Sequence, residues 1–212
     1  KTALGYLVPS YILEDLFSEA LTDLELIDML KWASGIDTDA EGNETPRQEI
    51  EDPLHSEPLL LNYGTAQSYE SVIYFGTNSG YLHAMTTDIN GPEELFAYVP
   101  YELLPNIEVY YREGAEYGKH YGLDGPITAF IHNDTELNAG KTSSKSLISA
   151  NDKAYMYAGM RRGGEVYYAL DVTDPKQPKY LWQITSDDTG FERLGQTWSA
   201  MKPIYVSPEA IG

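Results

Sequence analysis

Cysteine is absent from the 212-residue chain. Without thiols the protein can form no disulfide, no cysteine nucleophile and no zinc or iron–sulfur site built on cysteine. The sequence also lacks the H-x-x-x-H, G-x-S-x-G, Walker and G-x-G-x-x-G patterns. Serine hydrolase and nucleotide chemistry therefore have no motif to support them.

Basic residues are scarce: 14 Lys and Arg face 33 Asp and Glu, which gives a formal net charge of −19. Proteins that bind nucleic acid or an anionic membrane surface rely on Lys and Arg to hold phosphates. The only adjacent basic pair in this chain is Arg161-Arg162. The composition therefore argues against both kinds of partner.

Long hydrophobic runs are missing as well. No stretch approaches the roughly 18 consecutive apolar residues of a membrane helix, so we expect no membrane insertion by this segment. The first residue is Lys, with no signal-like apolar region behind it. We expect an interior fragment of a longer protein or a processed chain.

Helical patterning is confined to residues 1–35. A first apolar stripe has i, i+3, i+4 spacing and consists of Ile12, Leu13, Leu16, Phe17 and Ala20. A second helix is predicted to begin at a capping box formed by Thr22 and Glu25 and to end at Gly35. Residues 36–52 then carry many acids and almost nothing apolar, which predicts a solvated loop.

From residue 58 onward the sequence changes to short apolar runs separated by Gly, Asn and Pro turns, which is typical of strands. The predicted strands are 58–63, 71–75, 80–85, 94–99, 126–131, 154–159, 165–172, 180–184 and 202–206. The segments 101–125 and 132–150 are predicted to be long loops. No long helix is expected after residue 36.

An internal repeat organises these strands. Residues 72–85 and 155–170 share one pattern, which predicts a strand, a turn bounded by glycine and a second strand. Each copy is followed by a further predicted strand that carries aromatic residues. Four strands per unit, repeated in tandem, are typical of β-propeller blades. We therefore predict an all-β chain that forms part of a β-propeller with four-stranded antiparallel blades. A two-sheet sandwich is the competing fold.

The predicted organisation has three parts: a helical lead-in at 1–35, an acidic loop at 36–52 and a partial propeller at 53–212. Within the last part, blades are expected at about 53–100 and 121–185, and the next blade would start near 197. Because a closed propeller needs at least about four blades, these units would have to belong to a longer chain.

Several stretches resemble the C-terminal domain of the PilY/PilC family of type IV pilus tip and biogenesis proteins. They occur in the family's order and span residues 52–199. The stretches are 52–58, 72–85, 121–126, 157–164 with 167–173, and 194–199.

This resemblance implies a quinoprotein-like propeller of about seven blades in a parent protein that often carries a von Willebrand A-like module. It also implies a non-enzymatic role in type IV pilus assembly, twitching motility and adhesion. The expected location is the pilus tip or cell surface, outer membrane or periplasm of a Gram-negative bacterium. The expected partners are minor pilins and a surface or host receptor.

Calcium is the cofactor that the resemblance suggests, through an Asp-rich loop of the D-x-D-x-D-G-x-x-D kind, but no stretch of this chain matches that loop. The nearest candidate has acids at positions 1, 3 and 5, namely Asp37, Asp39 and Glu41, followed by Gly42. Position 12 would be Gln48, which does not fit an EF-hand loop. These three acids are candidate metal ligands, and a solvated acidic loop is the alternative.

Arg161 and Arg162 are candidate partner-binding residues, since they lie in a Gly-Met-Arg-Arg-Gly-Gly turn. They could recognise an acidic or glycan partner from an exposed loop. The alternative is a hairpin tip whose guanidinium groups pair with Asp124 or Asp171.

Two further interpretations concern the axis of the predicted propeller. His55 and His83 lie at strand ends and could approach the central channel, or they could be hydrogen-bonded structural histidines. A quinoprotein-like periplasmic dehydrogenase is the alternative function, because such enzymes share the propeller architecture. Asp124, Asp171 and Trp198 have the residue types that its site would require.

Overall fold

The computed structural model describes residue 17 and residues 21–47, 49–113, 120–133 and 147–204. The first predicted helix, with Ile12, Leu13, Leu16 and Ala20, lies outside these residues, although Phe17 is described and is buried. Among the helices that are described, none has the length and apolar character needed to cross a membrane.

Helix α1 covers Asp23–Ala33 and begins with the predicted capping box. The Glu25 amide donates to the Thr22 hydroxyl (3.3 Å), and the Thr22 amide donates to the Glu25 carboxylate (2.8 Å). The hydrogen bond from the Thr22 amide is the main reason that the pKa of Glu25 is lowered. The helix ends at Ser34, and Gly35 follows with φ of +84°. Both predicted ends of this helix are confirmed.

The strands form two main sheets and one small hairpin. The hairpin pairs β1 (Ile36–Thr38) with β2 (Glu44–Pro46). The first sheet has the order β6-β5-β4-β3-β8 and the second has the order β11-β10-β9-β7. Their strands are β3 (Leu59–Thr65), β4 (Ser68–Gly76), β5 (Leu82–Thr86), β6 (Glu94–Tyr98), β7 (Ile127–His132), β8 (Leu147–Ile148), β9 (Lys153–Gly159), β10 (Tyr167–Asp171) and β11 (Lys179–Ile184).

The first eight predicted strands coincide with β3–β6, β7 and β9–β11. Within each unit of four, each strand pairs antiparallel with the next. The described part of the chain is therefore mostly β-sheet with few helices, as predicted. The ninth predicted strand is described only as far as Ile204, and no strand is assigned there.

Two segments expected to be loops contain regular structure. Residues 36–52 include the β1–β2 hairpin, closed by a turn in which Asp39 accepts hydrogen bonds from Glu41 and Asn43. Residues 101–125 include a 3₁₀ turn at Tyr101–Leu103 and helix α2 at Leu104–Glu113. The helix forms because Leu104 and Ile107 bury against Met29 of α1.

Strand β8 is the third difference, because it lies in the segment 132–150 that was predicted to be a loop. It is two residues long and pairs in parallel with β3, through Asn62 with Leu147 and Tyr63 with Ile148. A strand from between β7 and β9 thus extends the first sheet, not the second. This pairing ties the two units together.

The main core lies between the two sheets. Val72, Tyr74 and Ala84 of the first sheet are fully buried in one cluster with Met156 and Leu170 of the second. Complete burial of each large apolar side chain stabilises the fold by roughly 1.5–3 kcal/mol.

A polar contact crosses this core. The hydroxyl groups of Tyr63 and Tyr74 lie 2.7 Å apart, and the Tyr63 hydroxyl donates to the Val172 carbonyl (2.9 Å). Burial raises the pKa of both tyrosines, so both remain neutral donors. The contact fixes β3 and β4 of the first sheet against the chain that leaves β10.

Candidate functional site

Five turn segments meet at one end of the two sheets, and we call this region the glycine junction. It comprises residues 52–56, 76–80, 121–125, 159–164 and 196–198. Backbone hydrogen bonds join the first three segments, from the Asn78 amide to the Asp52 carbonyl and from the Leu123 amide to the Thr77 carbonyl. The last two segments are joined by the hydrogen bond from the Arg161 amide to the Thr197 carbonyl. The stretches that carry the family resemblance are thus brought together in space.

Glycine is required in the junction because the segments touch through their backbones. A Cβ atom on Gly122 would lie 2.5 Å from the Gly80 nitrogen, and one on Gly163 would lie 1.8 Å from the Gly122 carbonyl oxygen. A Cβ atom on Gly125 would lie 2.3 Å from the Gly159 carbonyl oxygen. Real Cβ atoms do not approach this closely, so any side chain at these positions would separate the layers.

Thr197 joins the last two segments of the junction. Its hydroxyl group accepts from the Met160 amide (2.7 Å) and donates to the Val166 carbonyl (3.1 Å). Only 1% of its surface is exposed. The Thr197 hydroxyl therefore satisfies two backbone groups that water does not reach.

Replacing Thr197 with valine is expected to lower the free energy of unfolding by about 2 kcal/mol, because both of these backbone groups would lose their partner at nearly constant side-chain volume. Urea unfolding of the two proteins measures this difference. Thr87→Val is the matched control: its exposed hydroxyl donates one long hydrogen bond, to the Ser71 carbonyl (3.3 Å). Equal losses in the two variants would show that the buried hydroxyl has no special role.

Arg161 and Arg162 lie on the surface of this junction in a 3₁₀ turn, Arg161–Gly163. The Arg161 Cζ atom is 4.9 Å from the centre of the Trp198 ring. The Arg162 Cζ atom is 5.1 Å from the Tyr121 ring centre and 5.8 Å from that of Trp198. Arg162 Nη1 also donates to the Tyr121 hydroxyl (3.2 Å). We call these four residues the Arg–aromatic cluster.

The pairing predicted for the two arginines is wrong. Among the residues that the structure describes, neither guanidinium group forms an ion pair. Asp124 contacts His55 instead, and Asp171 accepts from the Thr173 amide. The physical reason is that Asp171 ends β10 at the far end of the strand, while Asp124 is buried inside the junction.

His55 and His83 each bind a carboxylate. His55 Nδ1 lies 2.6 Å from Asp124 Oδ1, and the Asp124 side chain is wholly inaccessible to solvent. His83 Nδ1 lies 2.6 Å from Glu94 Oε1, and that carboxylate is half exposed. The hydrogen bond from His83 is the main reason that the pKa of Glu94 is lowered. The geometry favours the structural interpretation of both histidines.

The residue types considered for a redox site do not converge. Asp124 is buried and contacts His55, and Asp171 lies at the opposite end of β10 from the junction. Trp198 contacts the two arginines and donates through its ring nitrogen to Gln196 (3.2 Å). Asp124 and Trp198 thus lie in the glycine junction but in separate contacts, while Asp171 lies at the other end of β10.

The candidate metal ligands lie in the β1–β2 hairpin. Asp39 Oδ1 accepts from the amides of Glu41 (3.0 Å) and Asn43 (2.8 Å), while Oδ2 accepts from the Asn43 side chain (2.8 Å). These hydrogen bonds lower the pKa of Asp39, that from the Asn43 side chain most strongly. Gln48 lies outside the described residues.

Within the ranges that the structure describes, no group of three His, Asp or Glu side chains is placed to hold a metal ion. Asp39 acts as the acceptor of a tight turn, and Asp37 pairs with Thr45 across the hairpin. Metal binding by Asp37, Asp39 and Glu41 stays a prediction.

Tyr121 is the member of the cluster that sequence analysis did not identify, and Trp198 was considered only for redox chemistry. Tyr121 and Trp198 both lie in stretches that carry the family resemblance, and this could have marked them as candidates. Their contact with the arginines cannot be read from the sequence, because Tyr121 and Arg162 are 41 residues apart.

No protein-family model matches the chain. The type IV pilus biogenesis factor PilY1 homolog of Xylella fastidiosa is 37% identical over 135 residues, which are 64% of this chain and 9% of that protein. The type IV pilus biogenesis factor PilY1 of Pseudomonas aeruginosa is 30% identical over 117 residues, 54% of this chain and 8% of that protein, in each of two strains.

A crystal structure of the Pseudomonas aeruginosa PilY1 C-terminal domain is 28% identical and covers 56% of this chain and 20% of that one, with a TM-score of 0.35. The chain thus spans less than a tenth of the length of the curated relatives that it matches. The sequence similarity to these curated relatives supports the predicted resemblance of this chain to the PilY1 family.

Proposed function

We propose that this chain acts in type IV pilus biogenesis as a non-enzymatic segment of a pilus assembly and adhesion protein. The observation that carries the proposal is the 37% identity over 64% of the chain to a type IV pilus biogenesis factor. A biogenesis factor of this kind belongs to the bacterial cell envelope or surface. Its partners are components of the pilus system, for which we propose minor pilins and a surface receptor.

The fold supports a mechanical role within this proposal. Two consecutive four-stranded units share one core, and the glycine junction packs their turns backbone against backbone. We propose that the units are neighbouring blades of a β-propeller, which further blades would close. Such a platform would hold surface loops rigidly, and loops on rigid scaffolds commonly carry recognition. Calcium binding belongs to this proposal for the parent protein and is assigned to none of the described residues.

The test removes residues 1–212 from the parent protein in its native host. The deletion strain is expected to lose surface pili and twitching motility, while an immunoblot shows that the truncated protein persists. Expression of the intact protein should restore both properties. Parent protein carrying Gly195→Ala serves as the matched point variant, because a Cβ atom there meets no other atom within 4 Å. It should assemble pili normally.

Normal pili and motility in the deletion strain would contradict the assembly role. If pili remain but attachment to surfaces is lost, the segment acts in adhesion alone. Loss of pili together with loss of the protein from the immunoblot would assign the segment to folding of the parent and would remove the support for a direct role.

A further inference from the structure

We propose that the Arg–aromatic cluster, Tyr121, Arg161, Arg162 and Trp198, binds an acidic peptide segment of a partner protein. The inference concerns a ligand of this surface, and it stands whether or not the parent protein assembles pili. Its support comes from the backbone conformation of the turn, from the guanidinium groups that form no ion pair with a described residue, and from the exposed Trp198 ring.

The turn that presents the arginines is held in an unfavourable conformation. Arg161 has φ of +52° and is the one non-glycine residue with positive φ in the part of the chain that the structure describes. An L-residue in this region costs roughly 1–2 kcal/mol, and such strain tends to be kept at functional sites. Gly163 and Gly164 follow the arginine pair, but the position with positive φ is occupied by arginine. An arginine side chain is thus displayed where glycine would be easier to accommodate.

The surrounding contacts fix this turn before any ligand arrives. The Arg161 amide donates to the Thr197 carbonyl (3.1 Å), and the Gly163 amide donates to the Met160 carbonyl (2.9 Å). Gly163 is in direct backbone contact with Gly122, beside Tyr121. The two arginines and the two rings therefore keep a set arrangement, which reduces the entropy lost on binding.

Both guanidinium groups retain donors for a ligand. Each arginine has five N–H donors, and the single side-chain hydrogen bond from either to a described residue is that from Arg162 to the Tyr121 hydroxyl. The chain carries 33 carboxylates, yet none in the described ranges forms an ion pair with Arg161 or Arg162. In so acidic a protein, two adjacent arginines with no ion pair to any described residue form a local site of opposite charge.

The chemistry of the cluster favours a carboxylate ligand carried on a peptide. A guanidinium group can lie over an aromatic ring and still offer its in-plane donors to the two oxygens of a carboxylate. The Trp198 side chain is 47% exposed and can pack against the apolar part of a peptide. Arg, Trp and Tyr are the residues most enriched at the energetic centres of protein interfaces.

The net negative charge of the chain disfavours the binding of polyanions at this cluster. At −19 the field of the whole chain repels nucleic acid, anionic membranes and other polyanions. A short segment with one or two carboxylates feels mainly the nearby arginines, because charges beyond about 8–10 Å are screened at physiological salt. The complementary partner is therefore an acidic side-chain pair on a protein surface.

Binding is tested on the full 212-residue chain by fluorescence anisotropy. The probes are labelled, amidated octapeptides with a pair of aspartates at different spacings beside one phenylalanine, together with asparagine counterparts. At least one aspartate peptide is expected to bind saturably and at least about tenfold more tightly than its counterpart, as expected for a hydrogen-bonded charge pair.

Three variants locate the site. Arg161→Gln with Arg162→Gln should weaken binding about tenfold or more. Arg162→Lys keeps the charge but loses the planar fork, so it should bind about threefold more weakly. Lys176→Gln with Lys179→Gln removes the same charge at the other end of β10 and β11 and should change binding by less than about twofold, since exposed distant charges are screened. Thermal unfolding checks that each variant is folded.

The proposal is overturned if no aspartate peptide binds saturably, or if aspartate and asparagine peptides bind equally well. Equal weakening by the arginine and lysine variants would show a general charge effect with no site. Binding of a sialylated oligosaccharide in place of every peptide would reassign the cluster to glycan recognition and would likewise overturn the peptide proposal.

Discussion

Replacing Gly163 with alanine is expected to lower the free energy of unfolding by about 3 kcal/mol, at the upper end of what overpacking usually costs. The new Cβ atom would lie 1.8 Å from the Gly122 carbonyl oxygen. Since the obstructing atom belongs to the backbone, no side-chain rotation can relieve the clash. The segments 121–125 and 159–164 would have to separate, which would break the junction between the two sheets.

Gly195→Ala is the matched control for this experiment. Gly195 lies in the neighbouring stretch of the same end of the fold, yet a Cβ atom there meets nothing within 4 Å. Urea unfolding of the two variants therefore separates the steric clash from the general effect of replacing glycine with alanine, which is about 1 kcal/mol or less. A Gly163→Ala protein as stable as the control would show that the two segments are not in backbone contact.

The strands were predictable because their signals are local. Each predicted strand either alternates apolar and polar residues or is continuously apolar. Each is also bounded by residues whose backbone preferences favour turns. The turn 76–80, for example, precedes β5 in the structure as predicted, with Gly80 at φ of +100°. The pairing of most consecutive strands then follows from the short connections between them, whereas β7 and β9 pair across a long segment that contains β8.

Helix α2 and strand β8 show where local reading fails. Leu104 and Ile107 have helical spacing, but Pro105 stands between them and suggests a loop, although proline is tolerated in the first turn of a helix. Helix α2 is stabilised by its packing against α1, which is a tertiary contact that a local sequence pattern does not contain. Strand β8 has only two residues, and its partner β3 lies more than 80 positions earlier, so no periodic pattern could reveal it.

The candidate site was predictable in its parts and not in its assembly. Arg161 and Arg162 attract attention because they are the only basic pair in an acidic chain. The carboxylates predicted to pair with them were Asp124 and Asp171, whereas the structure surrounds them with Tyr121 and Trp198. The neighbours of the two arginines depend on how the glycine-rich turns pack against each other, which is a property of the whole fold.

The contact of His55 with the fully buried Asp124 gives the second large expected effect. His55→Ala should destabilise the protein by about 3 kcal/mol, because removing the partner of a buried carboxylate leaves that carboxylate without compensation. The Asp124 carboxylate is inaccessible to solvent, and its Oδ2 atom already has no hydrogen-bond partner among the described residues. Loss of the His55 contact at Oδ1 would leave both oxygens unpaired.

A double-mutant cycle tests this reason directly. In the His55→Ala background, Asp124→Asn removes the buried charge, so the double variant should be more stable than the sum of the single losses predicts, by about 2 kcal/mol. Chemical denaturation of the four proteins yields this coupling energy.

The pair of His83 and Glu94 provides a control cycle with the same 2.6 Å contact. The Glu94 side chain is 46% exposed, so water can replace the histidine and the coupling between His83→Ala and Glu94→Gln should stay below about 1 kcal/mol. The two contacts differ in the burial of the carboxylate, which is complete for Asp124 and partial for Glu94. A coupling of equal size in the two cycles would therefore contradict the claim that burial of Asp124, and not the hydrogen bond alone, makes the His55 contact essential to the junction.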